Sequence, residues 1–311
     1  MIVITDNIKF AGQYIEGQVT WKRVELSDLN DNIRLLVSRM FQNKTFYTTE
    51  ILRHLTWRYL IAVEYIPESQ YDILINTVHD YSDLPGRTLC LAGSGDKFHG
   101  YKNREWISKL GNIHLSIYLS PHLEVQHFGV GFLILSAVSV LQTIDSIKDL
   151  KDKASLKWVN DILIDNAKVC GVLAHTQVQG SVVTDAMLGI GLNVDAVPNI
   201  DPTPFVPKVS CLSNFADNKN DCELRTVFNR LINRIEKNYG LLLGEKYNEL
   251  LKIYKDRSCI IGKNVRIWSD AHAGSSELIA EGKVLNIGND LELYIEGHKS
   301  PVITGRLELI N

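Results

Sequence analysis

Three polar side chains interrupt an otherwise apolar stretch at residues 155–165, namely Lys157, Asn160 and Asp161. A neutral polar group that is buried without a hydrogen-bond partner costs roughly 2–7 kcal/mol, and an unpaired charge costs more. Three such groups in one strand-like run therefore indicate a ligand or specific partners, and the lysine could neutralise a negative charge there. The plainer alternative is a strand that ends in a turn at Asn160 and Asp161, with a solvated lysine.

A second candidate site lies in residues 93–106, where glycines are interspersed with basic residues. Glycine lets the backbone approach an anion, while lysine and arginine supply positive charge for a phosphate or a carboxylate. The basic residues are Lys97, Lys102 and Arg104. The dinucleotide-binding fingerprint fails because Phe98 stands where its third glycine should be, and the P-loop fails for want of Gly-Lys-Ser/Thr. A flexible surface loop would have a similar composition.

Apolar periodicity predicts the elements that position these residues. Strands are predicted at residues 61–66, 87–92 and 112–119, with three more within 155–194. Helices are predicted at residues 31–41, after a cap at Ser69, at 128–144 and within 221–252, and a further helical segment contains Leu52, Leu55 and Tyr59. His114 falls on the polar face of its strand and is expected to be an ordinary surface histidine.

The end of the chain has a different pattern. Four prolines between residues 198 and 207 predict an irregular crossing. Short strands separated by Gly, Asn and Asp turns then follow at residues 264–268, 278–287, 291–295 and 306–310, and this spacing predicts a small antiparallel barrel.

Composition limits the classes of protein that are possible. The 311 residues are 45% hydrophobic and 22% charged, which predicts two or three folded domains. A net charge of -3 argues against a general nucleic-acid coat or a polybasic membrane binder. The five cysteines are scattered without a C-x-x-C pair, which favours a reducing compartment. The longest apolar run, residues 130–141, is shorter than the roughly 20 residues of a membrane span, so a cytoplasmic protein is expected.

Three motifs in chain order resemble those of the biotin protein ligases, K-W-x-N-D-(I/L), K-x-x-G-(I/V)-L and G-(I/A)-G-(I/L)-N-V. They match here at residues 157–161, 168–173 and 189–194, at the family's spacing. Three linked motifs are a far stronger signal than any one of them. The resemblance covers about residues 61–311.

The resemblance implies an α/β fold, in which a mixed sheet with covering helices of the class II synthetase-like type is followed by a small C-terminal β-barrel. The expected domains are an N-terminal extension of unknown role at 1–60, a catalytic domain at 61–255 and the barrel at 256–311. Some biotin ligases carry a DNA-binding winged helix at the N-terminal end. Residues 1–60 show no clear helix-turn-helix pattern, so DNA binding is not expected.

The function implied by the resemblance is ATP-dependent attachment of biotin to a lysine of a biotin carboxyl carrier domain, through a biotinyl-5′-adenylate. ATP and Mg²⁺ are implied cofactors, the carrier domain belongs to a carboxylase, and a homodimer is allowed. Lys157 would face the developing charge at the biotin carboxylate and the α-phosphate, Arg104 the phosphate, and Asp161 the metal. The implied binding residues are Ser69, Gln70, Gly95, His99, Gly100, Tyr101, Trp106, Asn112, Asn160, Asp161, Gly171 and Asn193.

The chain departs from the family pattern in two places. Of the acidic-Ser-Thr-Asn signature that lines the biotin pocket, only the serine is retained, within residues 69–71. In the family's Q-x-x-G-R-G-R-x-G-R-x-W loop, a glutamine, a glycine and two arginines are replaced by Gly95, Phe98, His99 and Tyr101. Either His99 and Lys102 take over from the arginines, or the intermediate is held more weakly, or activity is lost.

Two alternatives therefore stay open. A lipoate or octanoate ligase or transferase shares the catalytic architecture, although the Lys157-Trp158 pair and the terminal barrel favour biotin. A non-catalytic regulatory protein that binds biotin or its adenylate would explain the altered loop. A purely structural module leaves the three motifs unexplained.

Overall fold

The computed structural model describes residues 1–42, 45–52, 56–81, 83–270 and 276–310. They form a large mixed sheet with helices on both faces, followed by a small antiparallel sheet. The strands of the large sheet are β1 (Ile2–Thr5), β2 (Lys22–Glu25), β3 (Thr45–Glu50), β4 (Tyr59–Ile66), β5 (Thr88–Gly95), β6 (Ile113–Leu119), β7 (Leu123–Glu124), β8 (Ala154–Lys157), β9 (Asp161–Ile164), β10 (Ala167–Gln179) and β11 (Val182–Leu192). The strands of the small sheet are β12 (Asn264–Trp268), β13 (Leu278–Ile287), β14 (Leu293–Ile295) and β15 (Arg306–Leu309). The helices are α1 (Ile8–Ala11), α2 (Asp31–Met40), α3 (Gln70–Asp80), α4 (Phe128–Asp145), α5 (Leu224–Leu243) and α6 (Tyr247–Asp256).

The strand order of the large sheet is β2-β3-β1-β4-β5-β6-β11-β10-β9-β8, and β7 pairs with β11. Strand β4 runs parallel to both β1 and β5, whereas the ladders from β5 to β8 are antiparallel. Helices cover both faces of this sheet, so the predicted α/β class is confirmed.

The described part of residues 1–60, which the sequence predicted to be an N-terminal extension of unknown role, contributes strands β1, β2 and β3 to the large sheet. Strand β1 lies between β3 and β4, with Val3 opposite Leu60 in the parallel ladder. The helix expected around Leu52 and Tyr59 is wrong, because Tyr59 begins β4 and the residues before Leu52 form β3; Leu55 lies outside the described residues. Threonine and aromatic residues dominate β3, and both residue types suit a pleated surface better than a helix.

Helix α4 is the central covering helix, and it packs on α5, α6 and β10. By length and composition it could cross a membrane, but 67% of it is buried inside the fold. The hydroxyls of Ser136 and Ser139 donate to the carbonyls of Phe132 and Leu135, four residues back in the helix. This composition is explained by a core helix of a globular fold, because its apolar side chains are buried by protein and its two serine hydroxyls are hydrogen-bonded to the helix backbone.

The small sheet has the order β14-β13-β12-β15, which confirms the predicted antiparallel strands after residue 260. It docks against the β8 end of the large sheet. The indole Nε1 of Trp158 donates to the carbonyl of Leu291 at 2.6 Å, and the amide of Leu156 donates to the carbonyl of Arg257 at 2.8 Å. The junction of the two sheets forms one end of a cleft.

All five cysteines are free thiols, and four of them are buried. The predicted absence of a disulfide framework therefore agrees with the structure.

Candidate active site

Glycines form the floor of the cleft, where β6, β11 and β10 lie side by side. Gly191 is paired with Gly171 and Gly189 with Leu173, so the glycines share one face of the sheet. A Cβ atom on Gly191 would lie 2.5 Å from the ring of Trp106, and one on Gly171 would lie 3.3 Å from it. The absence of side chains here is what lets the indole lie against the sheet.

One end of the cleft holds two buried polar atoms without a partner. Gln70, at the start of α3, is 4% exposed, and Ser116 on β6 is 1% exposed. The Gln70 amide Nε2 donates to the carbonyl of His114 at 3.1 Å. Neither the Gln70 Oε1 atom nor the Ser116 hydroxyl has a hydrogen-bond partner among the described residues. Such atoms are costly unless a ligand satisfies them, and both residues line the cleft.

His114 is buried beside these atoms, so the expectation of a surface histidine is wrong. Strand β6 lies inside the sheet and all of its residues are buried, because helices cover both faces. Nδ1 of His114 accepts from the indole Nε1 of Trp106 at 3.3 Å, and Nε2 lies 3.3 Å from the carbonyl of Lys109. Burial lowers the pKa of His114 to about 4, so its imidazole is neutral at pH 7.

The other end of the cleft is cationic. Lys157 ends β8 and is 5% exposed, and its ammonium donates to the backbone carbonyl of Phe205. Burial lowers the pKa of Lys157, while the nearby Asp161 acts in the opposite direction. Asp161 itself is ion-paired with Lys168 at 2.6 Å, and the Lys168 ammonium lies 5.5 Å from the centre of the Trp106 ring.

Two of the predicted binding residues line the cleft but use their side-chain amides on the backbone. Asn160 Nδ2 donates to the carbonyl of Val172 at 2.8 Å, and Asn193 Nδ2 donates to the carbonyl of Ser210 at 3.0 Å. These bonds fix the chain around the cationic end, so the amides shape the cleft.

Two other predicted binding residues lie outside the cleft lining. The side-chain amide oxygen Oδ1 of Asn112 accepts three backbone N–H groups, from residues 194–196, at 2.9, 3.3 and 3.1 Å. Gly95 exchanges two hydrogen bonds with the Ser108 hydroxyl, at 2.8 and 2.7 Å. Both residues hold loops that border the cleft. The predicted residues that do line it are Ser69, Gln70, His99, Gly100, Tyr101, Arg104, Trp106, Lys157, Asn160, Asp161, Gly171 and Asn193.

Ser69 has the capping role that the sequence also predicted, because its hydroxyl accepts from the amide of Asp72 at 3.4 Å. Asp72 in turn holds His99 through Nε2, at 2.8 and 2.9 Å from its two oxygens. Burial acts to lower the pKa of His99, but the hydrogen bonds to Asp72 and the Gly100 carbonyl outweigh it and raise the pKa. The histidine that replaces a family arginine is thus tied to α3.

Lys102, the other residue expected to replace the arginines, does not line the cleft. Its ammonium is ion-paired with Asp270, two residues after the end of β12. Arg104 does line the cleft, where its Nε donates to the carbonyl of Tyr101 at 2.9 Å and its guanidinium lies 5.7 Å from the centre of the Tyr101 ring. Among the three basic residues singled out in this loop, only Arg104 therefore lines the cleft.

Several residues that line the cleft were not predicted as site residues from the sequence, among them Lys168, Phe205 and Arg306. Lys168 belongs to the second motif and could have been found there. Phe205 lies in the proline-rich crossing, which is placed beside β10 by the bridge between Lys168 and Val209. Arg306 lies on the last strand and is brought to the site by the docking of the small sheet, so neither residue carries a local signal in the sequence.

Asp161 is the metal ligand that the resemblance implies. Its carboxylate is occupied by Lys168, and the described residues contain no cluster of three or more His, Cys, Asp or Glu side chains that could hold a metal ion. Magnesium usually binds through one or two carboxylates together with substrate phosphates. The donor set therefore does not fit a magnesium site built by the protein alone.

The fold and the cleft together define an α/β protein with one cleft that holds buried polar atoms at one end and cations at the other. Residues 67–193 match the model of the biotin/lipoate A/B protein ligase family. This segment of the chain is therefore similar to that family.

The chain is also similar to biotin ligases over most of its length. The chain is 28% identical to the bifunctional ligase/repressor BirA of Bacillus subtilis over 232 residues, which are 73% of this chain and 68% of that protein. It is 26% identical to biotin–protein ligase 1, chloroplastic, of Arabidopsis thaliana over 266 residues, which are 81% of this chain and 68% of that protein. A solved structure of the biotin protein ligase of Aquifex aeolicus in complex with biotin and ATP has the same fold, with a TM-score of 0.61 and 19% identity, over 82% of this chain and 99% of that one.

Proposed function

We propose that this protein is an ATP-dependent biotin–protein ligase, which attaches biotin to a lysine of a biotin carboxyl carrier domain through a biotinyl-5′-adenylate. The proposal rests on one observation, that the two ends of the cleft differ in chemistry. Unpartnered Gln70 and Ser116 atoms lie at one end, and Lys157 and Arg104 lie at the other.

The uncharged end favours biotin over lipoate or octanoate. The ring head of biotin is a cyclic urea, which offers two N–H donors and a carbonyl acceptor. Gln70 Oε1 can accept one of these N–H groups, and the Ser116 hydroxyl can donate or accept. The alkyl end of octanoate and the dithiolane ring of lipoate have no such groups. Either acid would leave both protein atoms buried and unpaired, at a cost of about 1–3 kcal/mol each.

The cationic end supports adenylation. A carboxylate is a poor acyl donor, so one of its oxygens attacks the α-phosphorus of ATP and the bond to pyrophosphate breaks. Negative charge is shared between the carboxylate, the α-phosphate and the leaving pyrophosphate. A buried ammonium such as that of Lys157 is worth more there than in water, and Arg104 can bind phosphate oxygens through its fork of donors.

The second step needs no protein nucleophile. The amine of the carrier lysine attacks the acyl carbon of the mixed anhydride, and AMP leaves with its electron pair. Positioning of the two reactants supplies most of the acceleration in such a reaction. Mg²⁺ would be held mainly by the phosphates of ATP, whose charge it would partly neutralise, and Asp161 is the carboxylate that the resemblance assigns to it. The cytoplasmic location, the homodimer and the absence of DNA binding stay predictions from the sequence.

The test is exchange of labelled pyrophosphate into ATP, measured with biotin, lipoate or octanoate as the acid. The proposal expects exchange with biotin alone, followed by transfer to a carboxylase carrier domain. Exchange that is fastest with lipoate or octanoate would overturn the choice of substrate.

A regulatory protein that binds biotin without turnover is the second candidate. It is favoured by the loop at residues 93–106, where His99 and Lys102 are already paired with Asp72 and Asp270. Biotin binding measured by calorimetry, without any pyrophosphate exchange, would select this candidate.

A further inference from the structure

Arg306 brings a guanidinium from the small sheet into the cleft. It is the first residue of β15, and it lines the cleft together with Arg104 and Lys157. Its guanidinium carbon lies 3.7 Å from the centre of the Phe205 ring, and the backbone carbonyl of Phe205 accepts from Lys157. Phe205 therefore contacts two cations that come from different sheets.

Arg306 forms no ion pair with the described residues. Its Nε atom is buried and has no hydrogen-bond partner among the described residues. Burial and the neighbouring Arg104 both lower the pKa of Arg306, whereas Asp270 acts in the opposite direction. Asp270 is itself ion-paired with Lys102, so it is shared between two cations.

An arrangement of this kind is unfavourable without a ligand. Arg104 and Arg306 repel each other, and the buried Nε loses its hydrogen bond to water without a replacement. Stacking on Phe205 compensates only part of that loss, since a cation over an aromatic ring contributes about 0.5–2 kcal/mol. A polyanion between the two guanidinium groups would remove the repulsion and supply acceptors to both.

We propose that Arg306 is a phosphate-binding residue of the cleft, and that the small sheet thereby supplies the triphosphate of ATP with a cation which the altered glycine-rich loop lacks. The proposal rests on the proposed function, because it assigns the same cleft to ATP. It gives the docking of the small sheet a role in nucleotide binding beyond closing the fold.

The test compares Arg306→Met with Arg306→Lys. Methionine keeps apolar contact with Phe205 but removes the charge, and lysine keeps the charge but not the fork of donors. The KM for ATP in biotin-dependent pyrophosphate exchange is expected to rise about 10- to 100-fold in Arg306→Met and less in Arg306→Lys, with the Kd for biotin unchanged. The matched control is Arg266→Met on the same sheet, which breaks an exposed ion pair with Glu281 and should leave both constants unchanged.

Binding of inorganic tripolyphosphate, measured by calorimetry, is the second readout and does not depend on turnover. Absence of pyrophosphate exchange in the wild-type protein would count against the proposed function. Even then, weaker tripolyphosphate binding by Arg306→Met than by the wild type would support the phosphate-binding role of Arg306. Equal tripolyphosphate binding by the two proteins would overturn it. The proposal would also be overturned if Arg306→Met lost biotin affinity and thermal stability along with its ATP affinity. Such a result would show that Arg306 has a packing role.

Discussion

The indole Nε1 of Trp106 donates a hydrogen bond to Nδ1 of His114 at 3.3 Å, and this bond ties the glycine-rich loop to the floor of the cleft. Nδ1 can accept only while the ring is neutral, which leaves Nε2–H to donate to the carbonyl of Lys109. If the imidazole were protonated, its Nδ1 would carry a hydrogen and could not accept from the indole N–H, so the two N–H groups would repel each other. The position of the loop is therefore coupled to the charge of a buried histidine.

This coupling predicts a loss of stability in acid. Burial lowers the pKa of His114 from 6.5 to about 4, so between these two pH values His114 is protonated in the unfolded chain and neutral in the folded chain. The contribution of neutral His114 to the free energy of unfolding is fully present above pH 6.5 and is lost as the pH falls towards 4. The total loss is about 3 kcal/mol, because each unit of pKa shift corresponds to about 1.36 kcal/mol. The free energy of unfolding, measured with urea at pH 7 and at pH 4.5, should fall less in His114→Gln than in the wild type. His99 has a shift of opposite sign in both proteins and cancels in this difference. Equal falls in the two proteins would contradict the prediction.

Loss of the Lys157 charge should impair adenylation far more than binding of the acid. Replacing a preorganised charge-stabilising donor lowers a rate by about 10²–10³-fold. Lys157→Met should show such a drop in the rate of biotin-dependent pyrophosphate exchange, with the Kd for biotin changed severalfold at most. Lys153→Met, four residues earlier and exposed, is the matched control and should keep the wild-type rate. Full exchange by Lys157→Met would refute the assignment.

Ser116→Ala should affect stability and binding differently. The hydroxyl is buried and has no partner in the described part of the chain, so its removal should leave the free energy of unfolding of the unliganded protein unchanged or slightly higher. Affinity for biotin should fall about 5- to 50-fold, because a bond made only with the ligand is lost. Urea denaturation and calorimetric titration of the same sample measure the two effects. A parallel loss of stability and affinity would mean that the hydroxyl has a structural partner.

Gly191→Ala should push Trp106 off the floor of the cleft. The added methyl group would lie 2.5 Å from the indole ring, and overpacking of this kind costs about 1–3 kcal/mol. Gly240→Ala in α5 is the control, since its methyl group meets open space and alanine suits a helix better than glycine. Urea denaturation should therefore show opposite signs for the two substitutions. Trp106→Ala combined with Gly191→Ala should recover part of the loss, and the absence of any recovery would show that the strain lies elsewhere.

Much of the fold could be predicted from the sequence because local patterns carry it. Helical spacing located α2, α4, α5 and α6, and the apolar runs located β4 and β5. Residues 1–60 were harder, because their strands are short and are stabilised by neighbours distant in sequence. The ladder of Val3 with Leu60 is a tertiary contact that no local window contains.

The sequence by itself determined the motif residues, the cationic centre at Lys157 and the glycine floor, since these groups are close along the chain or repeat a known spacing. Only the tertiary structure decided which polar atoms face a ligand. It paired His99 and Lys102 with Asp72 and Asp270, and it brought Arg306 into the cleft. The physical reason is that the sign and availability of a charge depend on its neighbours in space, and the packing of two sheets sets those neighbours.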